Sequence, residues 1–121
     1  MLSQHILVGR KGEELAAQYL RDHGYQIIER NWRVKYAEID LVAFKRGRGM
    51  VCVEVRSKVG EEFGSPEETL DQRKLRKLVK SAEYYIFKAG WQGRYTVDAI
   101  CIVFGPALSV QRLKHYEDIV C

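Results

Sequence analysis

Apolar positions recur with the 3.6-residue period of an α-helix in two segments of the chain. The first runs from about Lys11 to His23, where Gly24 suits the position after a helix end, and the second runs from about Leu70 to Ala89. The two apolar stripes consist of Leu15, Ala16, Tyr19 and Leu20 in the first segment and of Leu75, Leu78, Val79, Ala82, Tyr85 and Ile86 in the second. Each stripe predicts an amphipathic helix that packs against a core.

Other stretches have the composition of β-strands. The first is Tyr25–Trp32, and the next two, Glu38–Phe44 and Met50–Arg56, flank a glycine-rich turn and predict a hairpin. Tyr95–Phe104 is a nearly continuous apolar run, which indicates a strand covered on both faces, and Leu108–Leu113 suits a short edge strand. The order of helix, three strands, helix and one or two strands predicts an α/β sandwich with a mixed sheet.

Length and composition narrow the class of protein. The chain has 121 residues, of which 46% are hydrophobic and 30% charged, so we expect one packed domain over residues 1–121. The polar residues 57–68 predict a mobile or functional loop. The three cysteines and three histidines show no metal-ligand spacing, so we expect reduced thiols and surface imidazoles. The apolar runs are too short to span a bilayer and the N-terminus lacks signal-peptide features, which favours a cytoplasmic protein without membrane contact.

The predicted hairpin brings two carboxylates together. A turn centred on Gly47 places Asp40 opposite Glu54, and Glu38 opposite Arg56, because antiparallel partners are equally distant from the turn. The Cβ atoms of Asp40 and Glu54 are then about 5 Å apart. Directly opposed like charges destabilise a sheet unless a proton or a cation lies between them.

Three interpretations of this pair are open. The carboxylates tolerate each other at a solvated strand end, with Glu38 paired to Arg56. Alternatively they share a proton, although no nucleophile or histidine accompanies them in the sequence. The third interpretation is a metal site, in which oxygen ligands without Cys or His favour Mg²⁺ or Mn²⁺ over zinc. Glu13, which borders the apolar stripe of the first predicted helix, is a third carboxylate for such a site.

Basic residues are concentrated in the second predicted helix and around the hairpin. The net charge is +4, and residues 70–96 carry seven Lys or Arg against two acidic residues. Alone, this excess suits the solvated face of an amphipathic helix. Beside a carboxylate metal site, however, it suits a phosphodiester substrate and metal-assisted hydrolysis. The residues expected to bind nucleic-acid phosphates are Arg46, Arg48, Lys58, Arg73, Lys77 and Lys80.

Several linked motifs resemble those of one family. They are Gly12-Glu13-x-x-Ala16-x-x-Tyr19-Leu20, Arg30-Asn31-x-Arg33, Glu38-Ile39-Asp40-Leu41-Val42-Ala43 and Val53-Glu54-Val55-Arg56, extended by Lys74, Leu78, Ala82 and Val97-Asp98. Over about residues 8–104 the chain closely resembles the UPF0102, or YraN-like, family of bacterial proteins. That family is similar to archaeal Holliday-junction resolvases. The resemblance therefore implies a restriction-endonuclease-like fold, a PD-(D/E)xK type of site, and DNA, including branched DNA, as substrate.

The resemblance also implies a metal site with named ligands. Asp40 matches the central metal-binding aspartate, and Glu54 belongs to the second half of the motif. With the Val55 carbonyl they are expected to bind Mg²⁺ or Mn²⁺. Glu13 matches the helical glutamate of the resolvases and is expected to complete or bridge the site. A two-fold homodimer is implied as well, because symmetric incision of a junction needs paired sites.

Two basic residues complete the implied catalytic set. Lys74 falls near the place where resolvases carry a polar residue beside the scissile phosphate. Arg56 replaces the lysine of the general motif, and since arginine stays protonated it is expected to orient water or stabilise phosphate charge rather than act as a base. Ala37 also departs from the glycine usual in the family. The alternatives are an inactive DNA-binding module on the same scaffold, which Arg56 favours, and a scaffolding protein with a basic surface.

Overall fold

The computed structural model describes residues 3–120 as a five-stranded sheet with one helix on each face. The elements are α1 (Gln4–Asp22), β1 (Gln26–Val34), β2 (Ala37–Lys45), β3 (Gly49–Val59), α2 (Gln72–Ala89), β4 (Tyr95–Phe104) and β5 (Val110–Tyr116), with 3₁₀ turns at Pro66–Thr69 and Pro106–Leu108. The strand order follows the chain, and only the β3–β4 pair is parallel among the described strands. This is the predicted α/β sandwich with a mixed sheet, and it is consistent with a restriction-endonuclease-like fold.

Two apolar clusters hold the helices on the sheet. The cluster under α1 includes Ala16, Ala17, Leu20, Leu41, Val51, Val53, Ile100, Ile102 and Phe104. The cluster under α2 includes Ile39, Val42, Met50, Cys52, Leu78, Ala82, Tyr85, Ile86 and Val97. Side chains of β3 alternate between the two clusters, as the two-residue period of a strand requires. Both faces of the central strands are therefore covered, which explains the nearly continuous apolar sequence of β4.

Most predicted elements are confirmed, with different ends. The bounds of β4 agree with the prediction. Helix α1 begins at Gln4 rather than Lys11, because the Oγ of Ser3 accepts the Ile6 N–H at 3.3 Å and caps the helix. Strand β3 continues to Val59, into the stretch predicted as a loop, because it pairs with β4 over that whole length.

The remaining loop between β3 and α2 is tied to the far edge of the sheet. Arg112 of β5 donates hydrogen bonds to both carboxylate oxygens of Glu67 and, at 2.6 Å, to Glu61. The Tyr116 hydroxyl donates to Glu67 at 2.7 Å. The Arg112 guanidinium is the main reason why the pKa of Glu67 falls to about 2. These contacts order a segment that the sequence predicts only as mobile or functional.

A buried ion-pair network surrounds Asp98, which has no exposed surface. Arg48 donates to both carboxylate oxygens, at 2.7 and 3.1 Å, and His115 Nε2 lies 2.7 Å from Oδ2. Burial alone would raise the pKa of Asp98, but the hydrogen bonds from His115 and Arg48 hold it below its ordinary value. Arg48 pairs with this buried carboxylate, so its predicted contact with nucleic-acid phosphates stays a prediction. The side chain of His115 is only 8% exposed, which corrects the expectation of a surface imidazole.

The two cysteines that the structure describes agree with the expectation of reduced thiols. Cys52 and Cys101 are buried free thiols, and Cys121 lies outside the described residues. Within residues 3–120, neither helix has the length and apolar character needed to cross a membrane.

Candidate active site

A cavity of about 680 Å³ lies where α1, β2, β3 and the start of α2 meet. The six residues assigned by sequence to catalysis or metal binding all line it: Glu13, Asp40, Glu54, Val55, Arg56 and Lys74. Of the histidines, His5 also lines the cavity, although its sequence context gives no sign of this. The six residues come from four separate elements, so the fold brings together what the sequence keeps apart.

Asp40 and Glu54 lie where the β2–β3 ladder ends. The ladder has the predicted register, and its last pair is Leu41–Val53. Immediately beyond it, Oδ2 of Asp40 accepts the main-chain N–H of Val55 at 2.8 Å. The side chain of Asp40 thus accepts the Val55 N–H in place of a main-chain carbonyl of β2, and this hydrogen bond holds its carboxylate against β3.

The regular alternation of faces breaks at Asp40. Leu41 belongs to the cluster under α1, whereas Ile39, two residues away, belongs to the cluster under α2. Asn31, which the flanking pairs of β1 and β2 place opposite Asp40, has a φ of 52° in the left-handed region. Two neighbouring strands are therefore irregular at the same level of the sheet, beside the cavity. Sequence alternation alone gives no signal for this change.

Asp40 and Glu54 line the same cavity, and burial raises the pKa of both carboxyl groups. Glu54 is 7% exposed. Burial, followed by the charge of Asp40, raises its pKa to about 7 even though Lys74 and Arg56 lower it. Burial also raises the pKa of Asp40, against the hydrogen bond from Val55. Burial therefore makes ionisation of both carboxyl groups less favourable than in water, and a bound cation would favour it.

Two basic side chains approach Glu54. Lys74 Nζ lies 3.4 Å and Arg56 Nε lies 3.0 Å from Oε2 of Glu54. The Arg56 contact is close enough for an ion pair but lacks hydrogen-bond geometry, so this buried Nε has no hydrogen-bond partner among the described residues. A buried N–H without a partner carries an uncompensated desolvation cost. An oxygen of a bound anion would remove that cost.

The oxygen donors fit Mg²⁺ or Mn²⁺. Asp40 Oδ2 accepts the Val55 N–H and Glu54 Oε2 takes part in two ion pairs, whereas Asp40 Oδ1 and Glu54 Oε1 accept no N–H from residues 3–120. Within the same residues, no group of three or more His, Cys, Asp or Glu side chains is arranged to hold a metal. Mg²⁺ commonly uses one or two carboxylates and fills its other positions with water and substrate phosphate. Two carboxylates in an open cavity meet that requirement.

Glu13 is the third carboxylate of the cavity. Its pKa is raised by burial and then by the charge of Asp40, while a hydrogen bond from Asn31 acts in the opposite direction. The preceding Gly12 allows α1 to lie close to β3, because a Cβ at this position would overlap Ser57 Oγ. The helix therefore carries Glu13 to within electrostatic reach of Asp40.

The residues predicted to bind phosphates lie in different parts of the structure and do not all line the same cavity. Lys58 lines the first cavity, and its Nζ donates to the Phe63 carbonyl at 3.4 Å. Lys77 and Lys80 line a second cavity of about 510 Å³. Arg46 and Arg73 are exposed and line neither of these cavities, and Arg48 is bound to Asp98.

The second cavity contains residues that sequence reasoning missed. It lies between α2 and the turn joining β1 to β2, and Arg33, Lys35 and Tyr36 line it. Glu38, expected opposite Arg56, instead forms an ion pair with Arg33 at 3.1 Å. The excess of Lys and Arg in α2 is visible in the sequence, but nothing local indicates that this turn packs beside it.

Comparison with known proteins agrees with the motifs. Residues 12–102 match the family described as "Uncharacterised protein family UPF0102". The chain is 45% identical over 96 residues to a UPF0102 protein of Persephonella marina, which covers 78% of this chain and 82% of that protein. It is 37% identical over 120 residues to a UPF0102 protein of Desulforamulus reducens, covering 98% of each. The names of these relatives state no activity.

Proposed function

The chain belongs to the UPF0102 family, and we propose that it is a metal-dependent endonuclease that hydrolyses phosphodiester bonds in DNA. The observation that carries the proposal is that the buried Glu54 and the half-buried Asp40 line one cavity that is bordered by cations. Two carboxylates that line one cavity suit a divalent cation, and cations beside them suit the phosphates of a nucleic acid.

The acidic residues would hold the metal. Asp40 Oδ1 and Glu54 Oε1 are the carboxylate oxygens without an N–H partner among residues 3–120, and the Val55 carbonyl is the proposed third ligand. Glu13 would accept hydrogen bonds from water in the cavity and support the site through that water instead of binding the metal directly. Bound Mg²⁺ or Mn²⁺ would supply positive charge to the phosphate and lower the pKa of the attacking water.

The basic residues would hold the scissile phosphate. Lys74 and Arg56 both approach Glu54, and a metal that neutralises this carboxylate would leave them available to phosphate oxygens. The Nε of Arg56, buried without a hydrogen-bond partner in the described part of the chain, suits such an oxygen. Because Arg56 remains protonated, it would stabilise charge in the transition state and not remove a proton.

A second candidate function is DNA binding without hydrolysis. The ion pairs of Glu54 with Lys74 and Arg56 favour it, because they already compensate part of the charge that a metal would neutralise. Arg56 at the position of the usual lysine favours it as well. In that case the basic residues would bind DNA on a scaffold that has lost turnover.

The test is DNA cleavage with matched variants. Plasmid, single-stranded and four-way-junction DNA are incubated with the chain and Mg²⁺ or Mn²⁺, with EDTA as a control. We expect cutting that requires the metal and falls about 100-fold or more in Asp40→Asn and Glu54→Gln, the loss typical of removing transition-state charge stabilisation. Lys88→Ala changes an exposed cation of α2 that lines neither cavity and is expected to cut like the wild type.

The alternatives give different results. Salt-sensitive DNA binding without cutting supports the inactive binding module. If the chain neither binds nor cuts DNA, that result supports a scaffolding protein. Cutting that persists unchanged in Asp40→Asn overturns the proposed site.

A further inference from the structure

A basic groove adjoins the candidate active site. The 510 Å³ cavity between α2 and the β1–β2 turn shares Glu38 and Lys74 with the cavity that holds the carboxylates. The cations that line the groove are Arg33, Lys35, Lys74, Lys77 and Lys80. Glu38, its only acidic residue in the described part of the chain, is paired with Arg33. The groove therefore presents a net positive charge that leads to the carboxylate pair.

An exposed aromatic ring stands at the β1–β2 end of this groove. Tyr36 is 89% exposed, and the Nζ of Lys35 lies 5.3 Å from the centre of its ring. The ring buries little apolar surface against the described residues, so it contributes little to the core. Exposed aromatic rings beside a cationic groove are the usual platform on which unpaired bases stack.

We propose that the groove binds a single-stranded segment of DNA, with a base stacked on Tyr36 and phosphates held by Lys77 and Lys80. This inference rests on the proposed function, because the same strand would continue into the cavity of Asp40 and Glu54. Lys74, which lines both cavities, holds the phosphate at the junction between them.

The aromatic ring favours a single strand over a duplex. In a duplex both faces of an interior base are covered by neighbouring bases, so Tyr36 has no base face to contact. Phosphates of a duplex would engage the lysines only. An unpaired strand uses both features of the groove, the cations for its backbone and the ring for a base.

Fluorescence anisotropy tests the stacking contact. A labelled oligodeoxythymidine and a duplex of equal length are titrated with the chain in EDTA, so that no divalent metal contributes. We expect tighter binding of the single strand, and a loss of about 5- to 150-fold for this strand in Tyr36→Ala with duplex binding unchanged. Tyr36→Trp is expected to retain binding. Phe87→Ala is the matched control, because this ring of α2 is 81% exposed and lines neither cavity.

Salt dependence tests the interactions with phosphate. Log affinity for a single strand falls with log salt, and the slope becomes less steep by about 0.7 for each phosphate that the protein no longer neutralises. We expect that change for Lys77→Ala and again for Lys80→Ala. Lys88→Ala, on the same helix but outside the groove, is expected to leave the slope unchanged. Circular dichroism verifies that each variant is folded.

The groove and the nuclease proposal can fail separately. Unchanged single-strand binding in Tyr36→Ala, or tighter binding of the duplex by the wild type, overturns the groove. Tighter binding of oligouridine than of oligodeoxythymidine overturns DNA as its occupant. Tyr36-dependent binding without any metal-dependent cutting supports the groove and overturns the nuclease proposal. Metal-dependent cutting without a preference for single strands supports the nuclease proposal and overturns the groove.

Discussion

Glu54 shows how burial can outweigh the effect of nearby cations on one residue. It lies between a carboxyl group that disfavours its ionised form and two cations that favour it. Burial decides the balance, because water cannot solvate the ionised carboxylate, and the pKa rises from 4.5 to about 7. A cation bound at this position would favour the ionised form.

This shift predicts a pH dependence of stability. A carboxyl group whose folded pKa is raised stabilises the fold fully below its unfolded pKa, and this contribution is lost as the pH rises through the folded pKa. For Glu54 the window runs from 4.5 to about 7. Glu54→Gln removes the titration. At about pH 8 we therefore expect its free energy of unfolding, measured by denaturant titration, to exceed that of the wild type by about 1–3 kcal/mol.

The comparison between pH values supplies the control. At about pH 5 the advantage of Glu54→Gln is expected to shrink, because wild-type Glu54 is then largely protonated. Glu62→Gln, at an exposed position, is expected to follow the wild type at both pH values. If wild type and Glu54→Gln lose stability equally between about pH 5 and pH 8, Glu54 does not titrate in this window.

Two neighbouring arginines show what a charge count leaves undecided. Arg46 and Arg48 lie in the same turn and look equally suited to bind phosphate. Arg46 is exposed, whereas Arg48 neutralises the buried Asp98. The difference depends on which residue of a distant strand lies beneath the turn, and spacing along the chain contains no information about it.

At the scale of elements, the close approach of α1 to β3 positions the third carboxylate. Gly12 is buried against Ser57, and there is no room for a larger side chain in the present arrangement. A helix normally disfavours glycine relative to alanine by about 1 kcal/mol. The packing distance, and not helix propensity, therefore explains a glycine at this point.

Two glycines of the same helix test this explanation. In Gly12→Ala the new Cβ overlaps Ser57 Oγ, so we expect a loss of about 1–3 kcal/mol in the free energy of unfolding. In Gly9→Ala the Cβ meets no atom within 4 Å, so we expect a gain of about 0.5–1 kcal/mol from helix propensity. Urea denaturation measures both.

A double variant separates overpacking from other effects of the substitution. Ser57→Ala removes the Oγ that the new Cβ would meet, so Gly12→Ala should cost less in the Ser57→Ala background than in the wild type. Equal costs in both backgrounds would show that the contact with Ser57 is not responsible.

At the scale of the whole molecule, the β5 edge of the sheet holds the loop beside the candidate site. Arg112 of β5 binds Glu61 and Glu67, which lie more than 40 positions earlier in the chain. The same loop leads into α2, whose N-cap residue Asp71 accepts the Lys74 N–H at 2.9 Å. The edge strand thus supports the segment that delivers Lys74 to Glu54.

Loss of this tie is expected to loosen the loop. In Arg112→Ala, a glutamate-specific protease should cleave after Glu61 or Glu62 faster than in the wild type, while Arg46→Ala, which changes an exposed arginine, should not change the rate. The pKa of Glu67 is lowered mainly by Arg112. The ion pair between them therefore stabilises the folded loop fully above pH 4.5, and this stabilisation is lost as the pH falls towards about 2. Wild type is therefore expected to lose its protection in that acid range. Cleavage at equal rates in both variants contradicts the proposed role of Arg112.

The features that the sequence predicted correctly depend on short-range regularity. Helical and strand periods located seven elements, and the turn around Gly47 set the β2–β3 register that brings Asp40 to Glu54. The ends of elements were less certain, because a cap such as Ser3 or pairing with a distant strand decides where an element stops.

The sequence by itself thus determined the family, through motifs spread over most of the chain. It also determined the element order and the pairing of the strands that carry Asp40 and Glu54, because these follow from residues close together in the chain. Only the tertiary structure decided that Glu13 and Lys74 meet that pair, that Arg48 belongs to Asp98, and that Tyr36 lies beside α2. The physical reason is that apolar burial, which drives the helices onto the sheet, has no direction of its own. Which charged groups then meet depends on how the whole set of surfaces fits together.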